Sequence, residues 1–156
     1  MRAILAVGPQ YEIGYTDGQL AYRSRQDMQF FKAMTYGCTI IAGRKTAETI
    51  PGALKGRICL CLCRGIPPDG WFKFDRDIHE PSSATWVIGG AQTVDYFLDA
   101  ITEMILCRYP YPPKTQNGLI CLSHSTQEWI RAAQSFRAIE QDGYAIDRLV
   151  NARLSP

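Results

Sequence analysis

The sequence predicts a single α/β domain over residues 1–156, with a central, mainly parallel sheet flanked by helices. Two observations predict this class. Short apolar runs bounded by glycine or proline alternate with amphipathic helical segments, which is the order of a mainly parallel sheet. The 156 residues, 46% of them hydrophobic, suffice for one sizeable core, and no repeat, low-complexity segment or linker divides the chain.

Three strands are predicted in the first half of the chain, at Ala3–Val7, Cys38–Ala42 and Arg57–Cys63. Each is a short apolar run followed by turn residues. The third run is apolar on both faces, so we expect it in the interior of the sheet. Between the first two lies a long loop over residues 9–22, which carries Ile13 and Leu20. Apolar side chains embedded in a long loop are typical of a lid over a site.

The second half predicts two clear strands, Thr85–Ile88 and Glu103–Tyr109, with an amphipathic helix over residues 91–98 between them. The C-terminal third has a weaker pattern. Residues 118–123 (GLICLS) and 143–150 (GYAIDRLV) indicate strands, whereas residues 126–140 fit either a helix or an extended segment. Both interpretations of residues 126–140 stay open.

An acid stands near the start of the first predicted helix, which runs from about Ser24 to Thr35. Helical spacing places Asp27 on the same face as Phe30, Phe31 and Met34. Ser24 and Asp27 fit a capping box, in which both side chains satisfy backbone amides of the first turn. A carboxylate on an apolar face also suffers desolvation, which raises its pKa unless it gains partners. The pattern therefore predicts either a cap or an acid kept for chemistry.

Composition excludes several classes of function. The formal net charge of +2 is too small to favour nucleic acid or an anionic membrane as a partner. No apolar run is long enough to span a bilayer, and the first ten residues do not form a signal peptide, so we expect a cytoplasmic protein. Cys59, Cys61 and Cys63 alternate on one strand face without metal-ligand spacing, so we predict buried thiols and no metal site.

Two glycine turns follow predicted strands. Gly43, Arg44, Lys45 and Thr46 come after Cys38–Ala42, and a Gly-Gly pair at 89–90 follows Thr85–Ile88. Each turn offers backbone amides and a helix start to an anion, although a Gly-Gly before a helix is also a common tight turn. Two such turns in one α/β domain favour a dinucleotide lying across the carboxyl ends of the strands.

The chain resembles the dihydrofolate reductase family in segments that follow family order and spacing. These segments are AILAV, EIGYTDGQLAY, DMQFFKAMT, IIAGRKTAETIP, LKGRICLCLCRG, WVIGGAQTVDYFL and the closing GYAIDRLV. The resemblance implies that family's fold, with a C-terminal antiparallel strand. It also implies a monomeric, cytoplasmic, NADPH-dependent enzyme of one-carbon metabolism, an antifolate target that reduces 7,8-dihydrofolate to 5,6,7,8-tetrahydrofolate.

On the substrate side, the resemblance implies that Asp27 is the single carboxylate of the site. It would accept hydrogen bonds from the amino group and a ring nitrogen of the pterin and would assist ring protonation. Arg57 would bind the glutamate carboxylate of folate, although an arginine at the start of a strand is usually just exposed. Leu20 belongs to the loop that closes over the site. The residues expected to line the pterin and benzoyl pocket are Leu5, Met28, Phe31, Ile50 and Leu54.

On the cofactor side, the resemblance implies contacts with NADPH along both turns and at the end of the first strand. Val7, Ile13 and Gly14 would lie near the nicotinamide. Cys63 and Arg64 would lie near the adenosine phosphate, with Arg64 selecting NADPH over NADH. The residues expected to cradle the pyrophosphate are Gly43, Arg44, Lys45, Thr46, Gly89, Gly90, Ala91, Gln92 and Thr93.

Several positions depart from the family pattern. Ala21-Tyr22 replaces a Pro-Trp pair whose tryptophan holds a water near the acid, so Tyr22 is expected beside the acid among the catalytic residues, with Asp27 and Leu20. Cys107 replaces a threonine that backs the acid and is expected on the substrate side, as a weaker hydrogen-bonding group. Val94 replaces a tyrosine near the nicotinamide, Cys63 replaces a hydroxyl residue, and the segment between residues 71 and 85 is short. These changes are typical of a divergent, compact member, such as one carried by a virus or plasmid.

Two alternatives stay open. The reductase of riboflavin biosynthesis shares the fold and uses NADPH, but its substrate has a ribose phosphate and no glutamate tail. A non-catalytic folate- or nucleotide-binding protein could also keep the fold, because fold alone does not fix function. Asp27, Arg57 and the two intact turns favour the folate enzyme.

Overall fold

The computed structural model describes residues 1–141 and 143–152. Eight strands form one sheet in the order β5-β4-β3-β6-β1-β7-β10-β9. All neighbours from β5 to β7 are parallel, and the last two pairings are antiparallel. In chain order these strands are β1 (Arg2–Val7), β3 (Thr39–Gly43), β4 (Ile58–Leu62), β5 (Phe72–Lys73), β6 (Thr85–Gly89), β7 (Glu103–Arg108), β9 (Gln134–Gln141) and β10 (Tyr144–Val150).

Helices and a second, small sheet complete the described part of the chain. The strands β2 (Glu12–Tyr15) and β8 (Leu119–Cys121) pair antiparallel beside the main sheet. A single 3-10 turn at Leu98–Ala100 follows the third helix. The helices are α1 (Arg25–Thr35), α2 (Arg44–Glu48), α3 (Ala91–Tyr96) and α4 (His124–Ala132).

The predicted fold class is confirmed, and some element bounds differ from the prediction. The predicted third strand lies between β3 and β5 and is buried at Cys59, Leu60 and Cys61. Residues 126–140 contain both predicted alternatives, because α4 gives way to β9. The C-terminal antiparallel part therefore has two strands instead of one. The third helix ends at Tyr96, earlier than predicted, and β2 and β5 were missed because they are only four and two residues long.

The core lies on both faces of the sheet because β1 is apolar from Ala3 to Val7. Ala3, Leu5 and Val7 pack into one cluster with strand and helix residues such as Leu106 and Val94. Ile4 and Ala6 belong to the cluster on the other face, beneath α1. Strands buried on both faces are expected in a sheet covered by helices on each side. β1 is therefore the centre of the fold and brings its carboxyl end to the site.

The C-terminal strands are fixed to the parallel sheet by charge as well as by backbone pairing. Asp147 is 4% exposed and accepts hydrogen bonds from Arg108 of β7 and Arg137 of β9. Two opposite charges offset the cost of burying one carboxylate. The backbone pairing of β10 with β7 places Ile146 opposite Cys107 and thereby fixes the position of the start of β10.

Three features of the described residues concern the cysteines, metal binding and membrane spans. The six cysteines are free thiols, and Cys59, Cys61 and Cys107 are buried. Residues 1–141 and 143–152 contain no group of three His, Cys, Asp or Glu side chains that could hold a metal ion. No helix in these ranges has the length and apolar character needed to cross a bilayer.

Candidate active site

A cleft of about 1300 Å³ runs along the carboxyl ends of the parallel strands. Its walls come from β1, the segment from Ile13 to Leu20, α1, and the turns after β3, β4 and β6. The sheet order explains this convergence, because β3, β6 and β1 are consecutive and parallel and so end at one edge. The loop predicted as a lid therefore borders the cleft, with Leu20 48% exposed on its wall.

Asp27 lies in this cleft and is 8% exposed. Its backbone amide donates a 3.1 Å hydrogen bond to the Ser24 hydroxyl, which caps α1. No return bond from the Asp27 carboxylate to the Ser24 amide occurs among the described residues, so the capping box is only half formed. The backbone of Asp27 serves the helix, and its side chain is left for the cleft.

The Asp27 carboxylate is held from behind by groups of β7, β10 and the segment after β7. The Tyr144 hydroxyl donates to Oδ1 at 3.4 Å. Burial raises the pKa of Asp27, and hydrogen bonds from Cys107, Tyr144 and Tyr109 lower it in part. Burial also raises the pKa of the Cys107 thiol and that of Tyr109, the latter to about 12. The Cys107 thiol and the Tyr109 phenol therefore stay protonated, and the Tyr109 hydroxyl donates to Ser24 Oγ at 3.1 Å.

Tyr22 takes a different place from the predicted one beside the acid. It is 4% exposed, donates to the Tyr111 carbonyl at 3.0 Å and stacks on Tyr109 with ring centroids 4.7 Å apart. It lies next to Gly8, where a Cβ would be 1.9 Å from the Tyr22 hydroxyl oxygen. Tyr22 is absent from the cleft lining in the described chain, because its phenol turns toward Gly8 and Tyr111.

The predicted pterin and benzoyl residues all border the cleft, whereas Cys107 and Arg57 do not. Cys107 is buried behind Asp27. Arg57 donates from Nε to Thr35 Oγ1 at 2.7 Å, and its other nitrogens donate to the carbonyls of Lys55 and Lys32. Its guanidinium thus closes the C-terminal end of α1, 5.7 Å from the Phe31 ring centroid. The lining residues are Leu5, Met28, Phe31, Ile50 and Leu54.

The two glycine turns lie side by side. A Cβ on Gly43 would be 2.5 Å from Thr93 Oγ1 and 3.7 Å from the Gly90 amide nitrogen. Only glycine allows the turns to approach this closely, because any side chain would fill the space between them. The predicted residues that line the cleft on this side are Ile13, Gly14, Gly43, Arg44, Lys45, Thr46, Cys63, Arg64, Gly89, Gly90, Ala91, Gln92 and Thr93.

Val7 is the one predicted cofactor residue that lies away from the cleft. It is fully buried in the core cluster that contains Ala3 and Leu5, whereas its neighbour Ala6 lines the cleft. Val94, at the position of the family tyrosine, is likewise fully buried. Tyr96 lines the cleft instead and is 49% exposed.

The basic residues of the turns differ in how they are held. Arg44 donates to Glu48 at 2.7 Å and to the Ile66 carbonyl at 2.6 Å. Lys45 donates to the Thr16 carbonyl of the lid at 3.2 Å. The Arg64 side chain has no hydrogen bond or ion pair within the described ranges, so its guanidinium is available to an anion in the cleft. The Cys63 thiol donates to the Gly65 carbonyl at 3.3 Å.

The comparisons with known proteins agree with this geometry. Residues 1–153 match the family model described as dihydrofolate reductase. The chain belongs to the dihydrofolate reductase family. It is also 32% identical over 68 residues to the dihydrofolate reductase type 9 of Escherichia coli, an alignment covering 44% of this chain and 38% of that relative. The predicted family membership is confirmed.

Several residues of this cleft were not predicted from the sequence. Arg23 and Asp95 line it, and β8 contributes Ile120 and Cys121 because it pairs with β2. Tyr144 was missed because it is distant in sequence from Asp27. The sequence feature that could have identified Tyr144 is its position at the start of the strand predicted over residues 143–150, because strand ends in an α/β fold can reach the site.

Replacing Asp27 with asparagine tests the cost of burying the carboxylate. The folded pKa of Asp27 lies above the ordinary value of 3.8. The ionised carboxylate therefore destabilises the fold at neutral pH, and the protonated form does not. We expect Asp27→Asn to unfold at higher urea concentration than the parent chain at pH 7, and this gain to shrink toward pH 3.5.

Urea titrations of both proteins at several pH values measure this difference. Asp69→Asn is the matched control, because Asp69 is exposed and its replacement should change neither midpoint by much. A clear loss of stability in Asp27→Asn at pH 7 would show that the carboxylate mainly serves the helix.

Proposed function

We propose that the protein is an NADPH-dependent dihydrofolate reductase that converts 7,8-dihydrofolate to 5,6,7,8-tetrahydrofolate. The observation that carries this proposal is a single buried carboxylate, Asp27, on an apolar wall of a cleft that also holds two adjoining glycine turns. Membership of the dihydrofolate reductase family supports the same reaction.

Asp27 would hold the pterin through paired hydrogen bonds. A carboxylate presents two acceptor oxygens in one plane, and these suit adjacent amino and ring N–H donors. The Tyr144 contact occupies only part of the acceptor capacity of Oδ1, so the remainder is left for substrate. Leu5, Phe31 and Ile50 would pack on the ring and exclude water, which strengthens these bonds.

The raised pKa of Asp27 gives the residue its second role. A carboxyl group whose pKa moves toward neutrality carries a proton for a larger part of the time near pH 7. Ring reduction requires protonation of the pterin, and we propose that Asp27 assists it. Leu20 and its loop would close over the reacting face, as lids do in many enzymes.

The cleft fits the cofactor that the family implies. A Cβ on Gly43 would fill the space between Gly43 and Gly90. Because glycine leaves this space open, a pyrophosphate could approach the backbone closely. Thr46, Gln92 and Thr93 add polar atoms along the same wall. Arg64 would bind the ribose phosphate. Arg44 lies beside Gly65, where an added Cβ would be 3.8 Å from Arg44 Nη1, and would provide a second positive charge nearby. NADPH, when bound, supplies the hydride for the reduction.

The direct test is loss of NADPH absorbance with dihydrofolate as substrate. We expect Asp27→Asn to lower kcat/KM by at least about a hundredfold, because it removes the acid while keeping the shape of the side chain. Asp69→Asn should retain the parent rate. Parent protein that turns over only the aminopyrimidine substrate of riboflavin biosynthesis would replace this function with the alternative reductase. Ligand binding without any turnover would instead indicate a binding protein.

Arg57 tests recognition of the glutamate tail. We propose that its free N–H groups bind the tail carboxylate, since its guanidinium lies beside the cleft residue Phe31. One charge-assisted bond is worth about 1.5–3 kcal/mol, so Arg57→Ala should raise KM for dihydrofolate about tenfold to a hundredfold. The value of kcat should change little, because such a contact is equal in the ground and transition states.

A pterin substrate without the tail provides the control for Arg57. Arg57→Ala also removes three hydrogen bonds, two of them to the end of α1 and one to the Lys55 carbonyl, so some loss of stability is expected. If the tailed and tailless substrates lose the same factor, Arg57 acts only on α1. That result would also favour the riboflavin-type substrate, which has no glutamate.

Arg64 tests the choice of NADPH over NADH. The two cofactors differ only by one ribose phosphate, and a planar guanidinium matches a phosphate well. We expect Arg64→Ala to lower kcat/KM for NADPH about tenfold to a hundredfold, equivalent to one charge-assisted contact, with little change for NADH. Arg131→Ala is the matched control, because Arg131 is an exposed arginine of α4. Equal losses with both cofactors would place Arg64 outside phosphate recognition.

A further inference from the structure

The start of β10 reaches the rear of Asp27 through the pairing of two distant strands. Ala145 lies opposite Arg108 and Ile146 opposite Cys107, so Tyr144 is placed at the carboxyl end of β7. Its hydroxyl oxygen is 3.4 Å from Asp27 Oδ1, although 117 residues separate the two in sequence. Strand register alone therefore delivers a phenol to the acid.

Aromatic packing fixes the direction of the Tyr144 ring. Tyr109 meets it edge-on, with centroids 5.5 Å apart, and itself stacks on Tyr22. The Tyr109 hydroxyl donates to Ser24 Oγ at 3.1 Å, and Ser24 Oγ accepts from the Asp27 amide. Tyr144, Asp27, Ser24 and Tyr109 are thus joined by three hydrogen bonds and one ring contact. This network connects the acid to the N-cap of α1.

We propose that Tyr144 is a positioning residue, whose hydroxyl orients the Asp27 carboxylate and sets the pH range over which the acid serves the reaction. The effect on the reaction rests on the proposed function, whereas the contact between Tyr144 and Asp27 is independent of it. The phenol is a suitable donor, because burial raises the pKa of Tyr144 and keeps it protonated. Occupying part of Oδ1 from behind leaves the remaining acceptor positions directed to the cleft.

The groups that face Asp27 come from three places. Tyr144 of β10 donates to its carboxylate, and Cys107 of β7 and Tyr109 after β7 also face it and lower its pKa. No ion pair with Asp27 forms within residues 1–141 and 143–152. The charged residues elsewhere on the cleft wall are Arg23, Arg44, Lys45, Arg64 and Asp95. Removing the neutral Tyr144 hydroxyl should therefore change the pKa of Asp27 measurably without leaving an unpaired charge.

The experiment replaces Tyr144 with phenylalanine and follows Asp27 directly. A hydrogen bond to a carboxylate favours its charged form, so its loss should raise the pKa of Asp27 further. We expect a rise of about half a unit to one unit, a change of about threefold to tenfold in the ionisation constant. The ¹³C shift of the labelled carboxyl carbon, titrated without substrate and assigned with Asp27→Asn, measures it independently of activity.

Kinetics provide a second readout. In Tyr144→Phe the high-pH loss of kcat should move upward by the same amount as the pKa. The plateau value of kcat should fall about threefold to tenfold, because the carboxylate is less well oriented, with little change in KM. Tyr111→Phe is the matched control: Tyr111 belongs to the same aromatic cluster, but its hydroxyl does not contact Asp27 in the described chain. It should leave both readouts unchanged.

Incorporation of 3-fluorotyrosine at position 144 gives a change of opposite sign and covers a poorly folding phenylalanine variant. Fluorine makes the phenol a stronger donor, so the pKa of Asp27 should fall. Opposite shifts in the two variants support the proposal. An unchanged carboxyl titration in both variants, or the same shift in Tyr111→Phe, overturns it. A parent protein without reductase activity but with the predicted NMR shifts would reject the proposed function and keep the Tyr144–Asp27 coupling.

Discussion

The Asp27 carboxylate is almost fully withdrawn from water, and the arrangement of the site follows from this desolvation. A buried carboxylate needs donors, and the helix dipole alone acts only over the first turn. Here Tyr144 donates to the carboxylate, and Cys107 and Tyr109 also approach from the sheet side and lower its pKa. They reduce the cost of the charge without neutralising it, because none is a cation. The acid consequently keeps a raised pKa and an open side toward the cleft, both of which suit the proposed role of Asp27 in ring protonation.

The parallel sheet provides the second half of the site by placing two turns at one edge. β3 and β6 are neighbours, and their register brings Ala42 opposite Gly89. The turns after them therefore touch, and Gly43 is the point of contact with Thr93. The lid joins the same region, because Lys45 binds the Thr16 carbonyl and Gly18 packs on the Lys45 backbone. A ligand that displaced the Lys45 ammonium from Thr16 would thus alter the contact between the lid and the turn.

Much of this architecture was predictable from the sequence, because glycine turns and apolar runs are local signals. Asp27 stood out because helical spacing set a charge on an apolar face. Side-chain direction was not predictable in strands that are apolar on both sides: Val7 points into the core, and Ala6 borders the cleft. Arg57 was placed in the site by its motif, but the carbonyls of Lys32, near the end of α1, and of Lys55 compete for its donors. Tyr144 depends on the register of β7 and β10, which no local pattern encodes.

The departures from the family pattern make physical sense as a group. A thiol at position 107 is a weaker donor than a hydroxyl, so the acid loses part of its support there. The tyrosine at position 22 does not compensate, since its hydroxyl donates to Tyr111. It supports the acid indirectly instead, by stacking on Tyr109, which packs on Tyr144. Support for the carboxylate therefore comes from an aromatic cluster anchored in β10. Because Asp147 pairs β10 with Arg108 and Arg137, the salt bridges of the C-terminal strands also help to hold the acid in place.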